Sequence, residues 1–292
     1  MLDIRVKEYT NGQAFLNELL PQLEQHELEN GHVISKAKIW HQNDNTNAGY
    51  FSAALDNDGQ LVYAAIWTPG NVMFLSWSSP DGGGEEAQTM LAKHAAGRSL
   101  SVPGMQGCEP GAFTFTKTYV AALDKSYILQ RAMTTYRLKD VKLPDHSRDM
   151  VSRGILRTAT SEDDIKMLAS WYIGFNEQCL MPIPDEDEAV KAISIHVWSG
   201  HMYLWTLDGK PVSMAFKVRP LKYGCAVSGV YTPREWRGRG YATAMMAVLS
   251  GHIRMDYDFV SLHADNNNPT SNYIYQQVGY EKWCKTNDYK VV

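Results

Sequence analysis

The chain has little that would tie it to a membrane, a metal or a nucleic acid. No apolar run approaches the roughly 20 residues needed to span a bilayer. The opening Met1-Leu2-Asp3-Ile4-Arg5 carries no apolar signal core, so a cytoplasmic location is expected. Only four cysteines are present, Cys108, Cys179, Cys225 and Cys284, and none forms a Cys-x-x-Cys pair. That spacing argues against a disulfide framework or a structural zinc site and predicts reduced thiols. The net charge is −4, so no global basic field draws a nucleic acid. What remains is an ordinary globular composition, 44% hydrophobic and 21% charged, over 292 residues, a length that suits two domains.

Two further absences sharpen the most informative stretch, Arg237-Gly238-Arg239-Gly240-Tyr241-Ala242. It follows the apolar run Val227 to Pro233 and opens a helix-patterned run from Tyr241 to Ile253. Such a turn, feeding a helix start, is a phosphate cradle: free N–H groups and the helix dipole face an anion. Gly238 and Gly240 permit positive φ, and Arg237 and Arg239 add charge. The Lys-Ser/Thr pair of a P-loop is missing, because Tyr241-Ala242 stands in its place. The third glycine of a dinucleotide fingerprint is missing too, replaced by Thr243.

A second element lies about 30 residues on. Phe259 to Ala264 reads as a buried strand, after which Asn268 suits a helix N-cap and Pro269 its first position. The helix runs from Thr270 to Val278 and stops at Gly279. At about 100° per residue, Asn268, Ser271, Asn272, Tyr275 and Gly279 share one stripe. Taken alone, the stripe is equally consistent with a capped helix whose tyrosine packs under a sheet.

Together the two elements resemble the GNAT acetyltransferase superfamily. Arg237, Gly240 and Ala242 match its pyrophosphate loop, and Asn-x-x-Ser-x-x-Ile-Tyr-x-x-x-Gly-Tyr matches its following helix. The resemblance is strong from about residue 227 to 280. It implies a mixed α/β fold in which Arg237, Gly238, Arg239, Gly240, Tyr241, Ala242 and Thr243 cradle the pyrophosphate of acetyl-CoA. Asn268 and Ser271 would then line the coenzyme channel, and Val230, Tyr231 and Thr232 would bond the pantetheine arm from a splayed strand. Tyr275 would protonate the leaving thiolate. The implied reaction is direct transfer of an acetyl group to the primary amine of a small or amino-acid-like acceptor, with no metal.

The base is less clear. The glutamate that many relatives carry on the strand before the cradle is replaced by Ser228 and Tyr231. Glu177, after the first helix of this half, is the candidate, with His196 and His201 as alternatives. The acidic run Asp185 to Glu188 reads as a solvated helix start, and Trp171, Tyr172, Phe175, Trp198, Tyr203 and Trp205 as core packing that could also wall an acceptor pocket. Without the glutamate, a coenzyme A sensor remains a rival reading. A peptide N-terminal acyltransferase, using a groove between the halves, is another.

The chain also repeats itself. Asp208-Gly209 joins Met202–Leu207 to Pro211–Val218 as a type I′ hairpin, and Asp58-Gly59, 150 residues earlier, joins Tyr50–Leu55 to Gln60–Trp67 in the same way. Ile4–Lys7 precedes a helical pattern over Gln13–Leu28; Ile155–Thr158 precedes one over Asp163–Phe175, opened by Ser161-Glu162-Asp163-Asp164. The expected organisation is two tandem GNAT-like domains, 1–145 and 152–292, joined by Leu143-Pro144-Asp145-His146-Ser147-Arg148. In the first, the glycines of Ser79-Pro80-Asp81-Gly82-Gly83-Gly84-Glu85-Glu86 sit among acidic groups that would repel a pyrophosphate. That half is therefore read as degenerate, without coenzyme binding.

Overall fold

A computed structural model describes residues 3–42, 49–78, 83–179 and 181–292. Met1, Leu2 and the Ser79, Pro80, Asp81 and Gly82 of the acidic turn lie outside the described residues.

The order of elements makes the repeat explicit. The first pass runs β1 (Arg5–Tyr9), α1 (Gly12–Leu23), α2 (Glu27–Gln42), β2 (Tyr50–Leu55), β3 (Leu61–Trp67), β4 (Met73–Leu75), α3 (Gly84–Ala96), β5 (Gly104–Cys108), α4 (Gly111–Ala122) and β6 (Tyr127–Leu138). After a short helix, α5 (Arg148–Arg153), the same order returns. The second pass is β7 (Gly154–Thr158), α6 (Glu162–Gln178), α7 (Glu186–Trp198), β8 (Met202–Leu207), β9 (Lys210–Val218), β10 (Gly224–Tyr231), α8 (Tyr241–Arg254), β11 (Phe259–Asp265), α9 (Pro269–Val278) and β12 (Glu281–Val291).

Two compact units result. The first holds Met1–Thr135, His263–Asn267 and Trp283–Val292; the second holds Tyr136–Leu262 and Asn268–Lys282. In the first unit the strand order is β1-β2-β3-β4-β5-β12-β6. Its β4 and β5 run parallel, through Met73↔Met105 and Phe74↔Gln106, while β12 pairs antiparallel with β5, from Thr286↔Cys108 to Lys290↔Gly104. The alanine-rich face of α3 (Ala87, Leu91, Ala92, Ala95) packs with Phe115 and Tyr119 of α4 on the sheet. In the second unit the order is β11-β10-β9-β8-β7. There α6 and α7 bury Ile165, Leu168, Ile193 and Val197 against Leu204, Met214 and Phe216, and α8 buries Met245, Leu249 and Ile253 completely.

Several expectations change at the level of turns. Asp208 and Gly209 have φ of 50° and 77°, the two positive values that a type I′ turn demands. Gly59 is left-handed as well, but Asp58 is not among the positive-φ residues. The first hairpin is therefore built differently. Asp56 accepts from the Asp58 and Gln60 N–H groups, Gly59 N donates back to Asp56 O, and the register shifts between Ala54 and Leu55. A side-chain-capped turn with one extra residue replaces the mirror turn. The helix expected over Gln13–Leu28 is two helices. Asn11 caps α1 through Ala14 N, Pro21 removes a donor inside it, and a 3-10 turn at Glu24–His26 leads into α2. The expected linker is ordered rather than loose: Asp145–Ser147 form a 3-10 turn, Ser147 is fully buried, and α5 follows directly.

The start of α6 shows how a capping sequence acquires a second task. Ser161 accepts from Asp164 N as N-cap, but the Asp164 carboxylate turns away from the cap. It takes a bidentate pair from Arg157 of β7, at 2.7 and 2.9 Å, and the Thr160 N–H at 3.0 Å. The Arg157 guanidinium holds this carboxyl down at about 2. A carboxyl depressed on folding stabilises fully above its unfolded value, about 3.9, and loses that contribution as pH falls through the folded one. Screening at the part-exposed guanidinium leaves about 1 kcal/mol. Asp164→Asn is therefore expected to lower urea stability by about that amount at pH 7, with the difference from wild type vanishing between about pH 4 and pH 2.

Candidate functional site

The site grows from the way β10 leaves its neighbours. β10 pairs with parallel β11 only at Gly224↔Phe259, Cys225↔Val260 and Ala226↔Ser261, then runs on to Tyr231 beyond that pairing. On its other side the register with β9 shifts between Ser228↔Phe216 and Tyr231↔Met214. The extra residue falls at Gly229, φ 59°, where a Cβ would come within 2.2 Å of the Phe216 ring. Only glycine fits there, and the bulge frees one residue from the ladder next to the point where the strands part.

The chain then turns through Arg234–Trp236 into the cradle. Gly238 and Gly240 are both left-handed, at φ 74° and 79°, and Gly240 is the N-cap of α8 with no side chain capping it. Ala244 N makes the first helical bond, to Gly240 O. The N–H groups of Tyr241, Ala242 and Thr243 lie in the first turn, where no intrahelical partner exists, and that turn holds no acidic residue. A Cβ on Gly238 would meet nothing within 4 Å, so this glycine borders open space. These features fit a pyrophosphate.

The two cradle arginines divide their work, which the sequence did not reveal. Arg239 is exposed and lies over the Trp236 ring, 5.3 Å from its centroid. Arg237, exposed as well, is held by its neighbours. Its Nε donates to Thr232 O at 2.7 Å, its Nη2 donates to Gln178 Oε1 of α6 at 2.8 Å, and its guanidinium lies over the Tyr231 ring. Tyr231 Oη in turn would be 2.7 Å from a Cβ at Gly174 of α6. Arg237 thus ties the cradle and the end of β10 to α6. Of the Val230, Tyr231 and Thr232 main chain, Tyr231 O accepts from Ser213 Oγ and Thr232 O from Arg237 Nε.

The partner helix α9 has the expected form. Asn268 caps it through Ser271 N at 3.1 Å, Pro269 follows, and Gly279 closes it at φ 104°. Tyr275 is buried, with its ring near Tyr136 (6.2 Å) and Tyr280 (5.9 Å). Burial pushes its phenol well above the ordinary tyrosine value, and a hydrogen bond with Ser271, one turn earlier, draws it part of the way back. Asn268, Ser271 and Tyr275 are thus brought together on one face.

The proposed bases are placed less decisively. Glu177 is exposed in the last turn of α6, between the buried Asn176 and the Gln178 that holds Arg237. His196 stacks on Phe216, 4.9 Å between ring centroids, and so stands on the ring that packs against the Gly229 bulge. Burial, and to a lesser degree His201, lower its affinity for a proton. His201 is lowered by burial and Lys217, and lies 3.2 Å from Ser199 Oγ. Asp185 and Glu188 form a reciprocal capping box on α7, which accounts for the acidic run. Tyr203 and Trp205 are core, Trp171, Tyr172 and Phe175 flank it, and Trp198 is 61% exposed.

The equivalent place in the first unit is built differently. Gly83, φ 72°, is the uncapped N-cap of α3 just as Gly240 is of α8, but Glu85 and Glu86 occupy the first turn. Its own side chains press into the space. A Cβ at Gly111 would be 2.9 Å from Gln88 Nε2 and 3.1 Å from the Tyr63 ring, and Gln88 bonds Ser78 Oγ. Glu109 accepts from Phe113 N at the start of α4, where the second unit has Asn268.

A splayed parallel pair, a bulge, an uncapped glycine cradle and a capped tyrosine helix define a fold of the GNAT type, here present in tandem. The comparisons agree. Residues 208–290 match the family described as FR47-like protein. No curated protein sequence matches. Among solved structures, a Drosophila protein aligns with TM-score 0.64 at 13% identity over 98% of both chains. A GCN5-related N-acetyltransferase from Sphaerobacter thermophilus aligns with TM-score 0.60 at 14% identity, over 98% of this chain and 94% of that one. A tandem GNAT protein from the clavulanic acid biosynthesis pathway aligns with TM-score 0.58 at 12% identity, over 99% and 98%. These solved structures share the fold of this chain, and the family match lies in its second half. No helix among the described residues is long and apolar enough to cross a membrane.

Proposed function

We propose that residues 152–292 carry an acetyl-CoA-dependent N-acetyltransferase site that acts on the primary amine of a small, amino-acid-like acceptor, and that residues 1–145 are a degenerate copy without coenzyme binding. The observation that carries this reading is the contrast between two helix starts with the same left-handed glycine cap. That of α8 is uncapped and free of acidic groups, while that of α3 holds Glu85 and Glu86.

Acetyl-CoA would supply an activated acyl group with a thiolate as leaving group. The chain's residues do the rest. The first-turn N–H groups of α8 and the exposed Arg239 hold the pyrophosphate. The residue freed by the bulge beside Gly229 offers an N–H to the acyl oxygen as it gains charge. Tyr275 keeps its proton at neutral pH, because burial raises its pKa, and gives it to the departing sulfur.

A lysine-like amine, pKa about 10.4, is almost wholly protonated at pH 7, so a base must take a proton from it. We propose Glu177 for this role, acting from the α6 end that Arg237 and Gly174 hold beside the cradle, with His196 as the second candidate. The test follows thiol release from acetyl-CoA against a panel of amines between about pH 5 and pH 9. Saturable binding without thiol release on any amine would replace the enzyme reading with a sensor. With Glu177 as base, Glu177→Gln lowers kcat about 10²–10⁴-fold and His196→Gln leaves the pH profile intact. If His196 is the base, the acid limb lies below about pH 6.5, because its imidazole is neutral down to that range, and His196→Gln removes it.

A further inference from the structure

The acyl-transfer reading leaves one polar cluster of the first unit unused. Cys108, at the end of β5, and Cys284, early in β12, are both free thiols, and their sulfurs are 3.5 Å apart. They lie on neighbouring antiparallel strands, near the Thr286↔Cys108 pair of the ladder. Hydroxyls surround them. Thr286 Oγ1 is 3.8 Å from Cys108 Sγ and 4.0 Å from Cys284 Sγ, and it meets Thr135 Oγ1 at 2.7 Å, which in turn meets His263 Nδ1 at 2.9 Å. Cys108 is buried, 5% exposed, whereas Cys284 is part-exposed.

We propose that Cys108 and Cys284 form a thiol–disulfide exchange site for low-molecular-weight disulfides, with Cys284 as the attacking thiol and Cys108 as the resolving one. The geometry assigns the roles. Only Cys284 can be reached from solvent, and Cys108 stands behind it within reach of its sulfur. Donor hydroxyls at Thr286 and Thr135 stabilise a thiolate between them. Closing the sulfurs from 3.5 Å to bonding distance needs about 1.5 Å of approach between two diagonal neighbours of the ladder. The direction of the proton equilibria agrees: the hydrogen bond between the two thiols draws Cys284 down and pushes Cys108 up.

The exchange balances in two steps. The Cys284 thiolate attacks one sulfur of the small disulfide, forming a mixed disulfide and releasing one small thiolate, which takes up the proton Cys284 lost. Cys108 then attacks the Cys284 sulfur, the protein disulfide closes, and the second small thiol leaves with the proton from Cys108. Two protein thiols are oxidised and one small disulfide is reduced to two thiols. The product links β5 to β12, across 176 residues of sequence.

Incubating the full chain with oxidised glutathione, followed by intact-mass and peptide mapping, tests this. Wild type is expected to lose two hydrogens and yield a peptide linking residues 108 and 284, reversibly on adding dithiothreitol. Cys108→Ser is expected to retain one glutathione, on Cys284, because the resolving thiol is gone. Cys284→Ser is expected to take up none at Cys108. Cys225, whose thiol burial pushes up to about 11, and Cys179 serve as internal references. In untreated wild type, which needs no variant to fold, iodoacetamide is expected to label Cys284 at least about tenfold faster than Cys225 and before Cys108. Absence of the linked peptide, an adduct of Cys108→Ser elsewhere than Cys284, or Cys108 labelled first would each overturn the proposal.

Discussion

Tyr275→Phe is expected to lower kcat by about 10²–10⁴-fold while leaving KM for acetyl-CoA nearly unchanged, the range that losing a positioned proton donor costs. The substitution isolates the hydroxyl. A phenylalanine keeps the ring contacts with Tyr136 and Tyr280, and the partner left behind is the Ser271 hydroxyl, so the stability loss should stay near 1 kcal/mol. Burial raises the phenol's pKa, so Tyr275 stays protonated throughout the neutral range and its loss should reduce the rate evenly there. Steady-state thiol release across pH provides the measurement. Turnover equal to wild type at every pH would remove Tyr275 from the acid role while leaving the coenzyme site in place.

The second large effect concerns the cradle. Gly240→Val should weaken coenzyme A binding by about 10–100-fold or more, measured by calorimetric titration. Gly240 sits at φ 79°, where a β-branched side chain costs about 1–2 kcal/mol, and its methyl groups would crowd the first-turn N–H groups. The fold has room for the Cβ itself, because the nearest atom, Met150 Cγ, is 3.8 Å away. Loss of affinity would therefore reflect the ligand's approach. Gly83→Val is the matched control. It imposes the same backbone strain on the cap of α3, at φ 72°, and should cost stability while leaving affinity for coenzyme A unchanged. An equal affinity loss from both variants would refute the assignment of the coenzyme to α8.

Residues whose role depends on a few neighbours in sequence were the ones that could be read in advance. The helix limits at Asn268, Pro269 and Gly279, the mirror turn at Asp208-Gly209 and the left-handed Gly238 and Gly240 came out as their local chemistry dictates. Local chemistry is ambiguous where two local solutions compete. Asp58-Gly59 looks like Asp208-Gly209, but Asp56 stands two residues before Asp58 and its carboxylate captures the turn's N–H groups. The helix from Glu27 to Gln42 leaves little periodic mark in the sequence, because its apolar and polar residues do not separate onto clear faces.

By itself, then, the sequence determined the fold class, the tandem order of elements, the position of the cradle and the polar stripe of α9. The glycine turn and the stripe follow from backbone preferences and periodicity within about a dozen residues, and the fold class from the family resemblance those two elements carry. Only the tertiary structure decided which cradle arginine is tied to α6. Arg237 and Arg239 are alike in sequence, and Thr232 O and Gln178 claim one of them. It also decided that β12, last in the chain, completes the sheet of the first unit beside β5, and so brought Cys284 to within 3.5 Å of Cys108. Strand partners far apart in sequence are chosen by which edge is open once everything else has packed, and no local pattern records that choice.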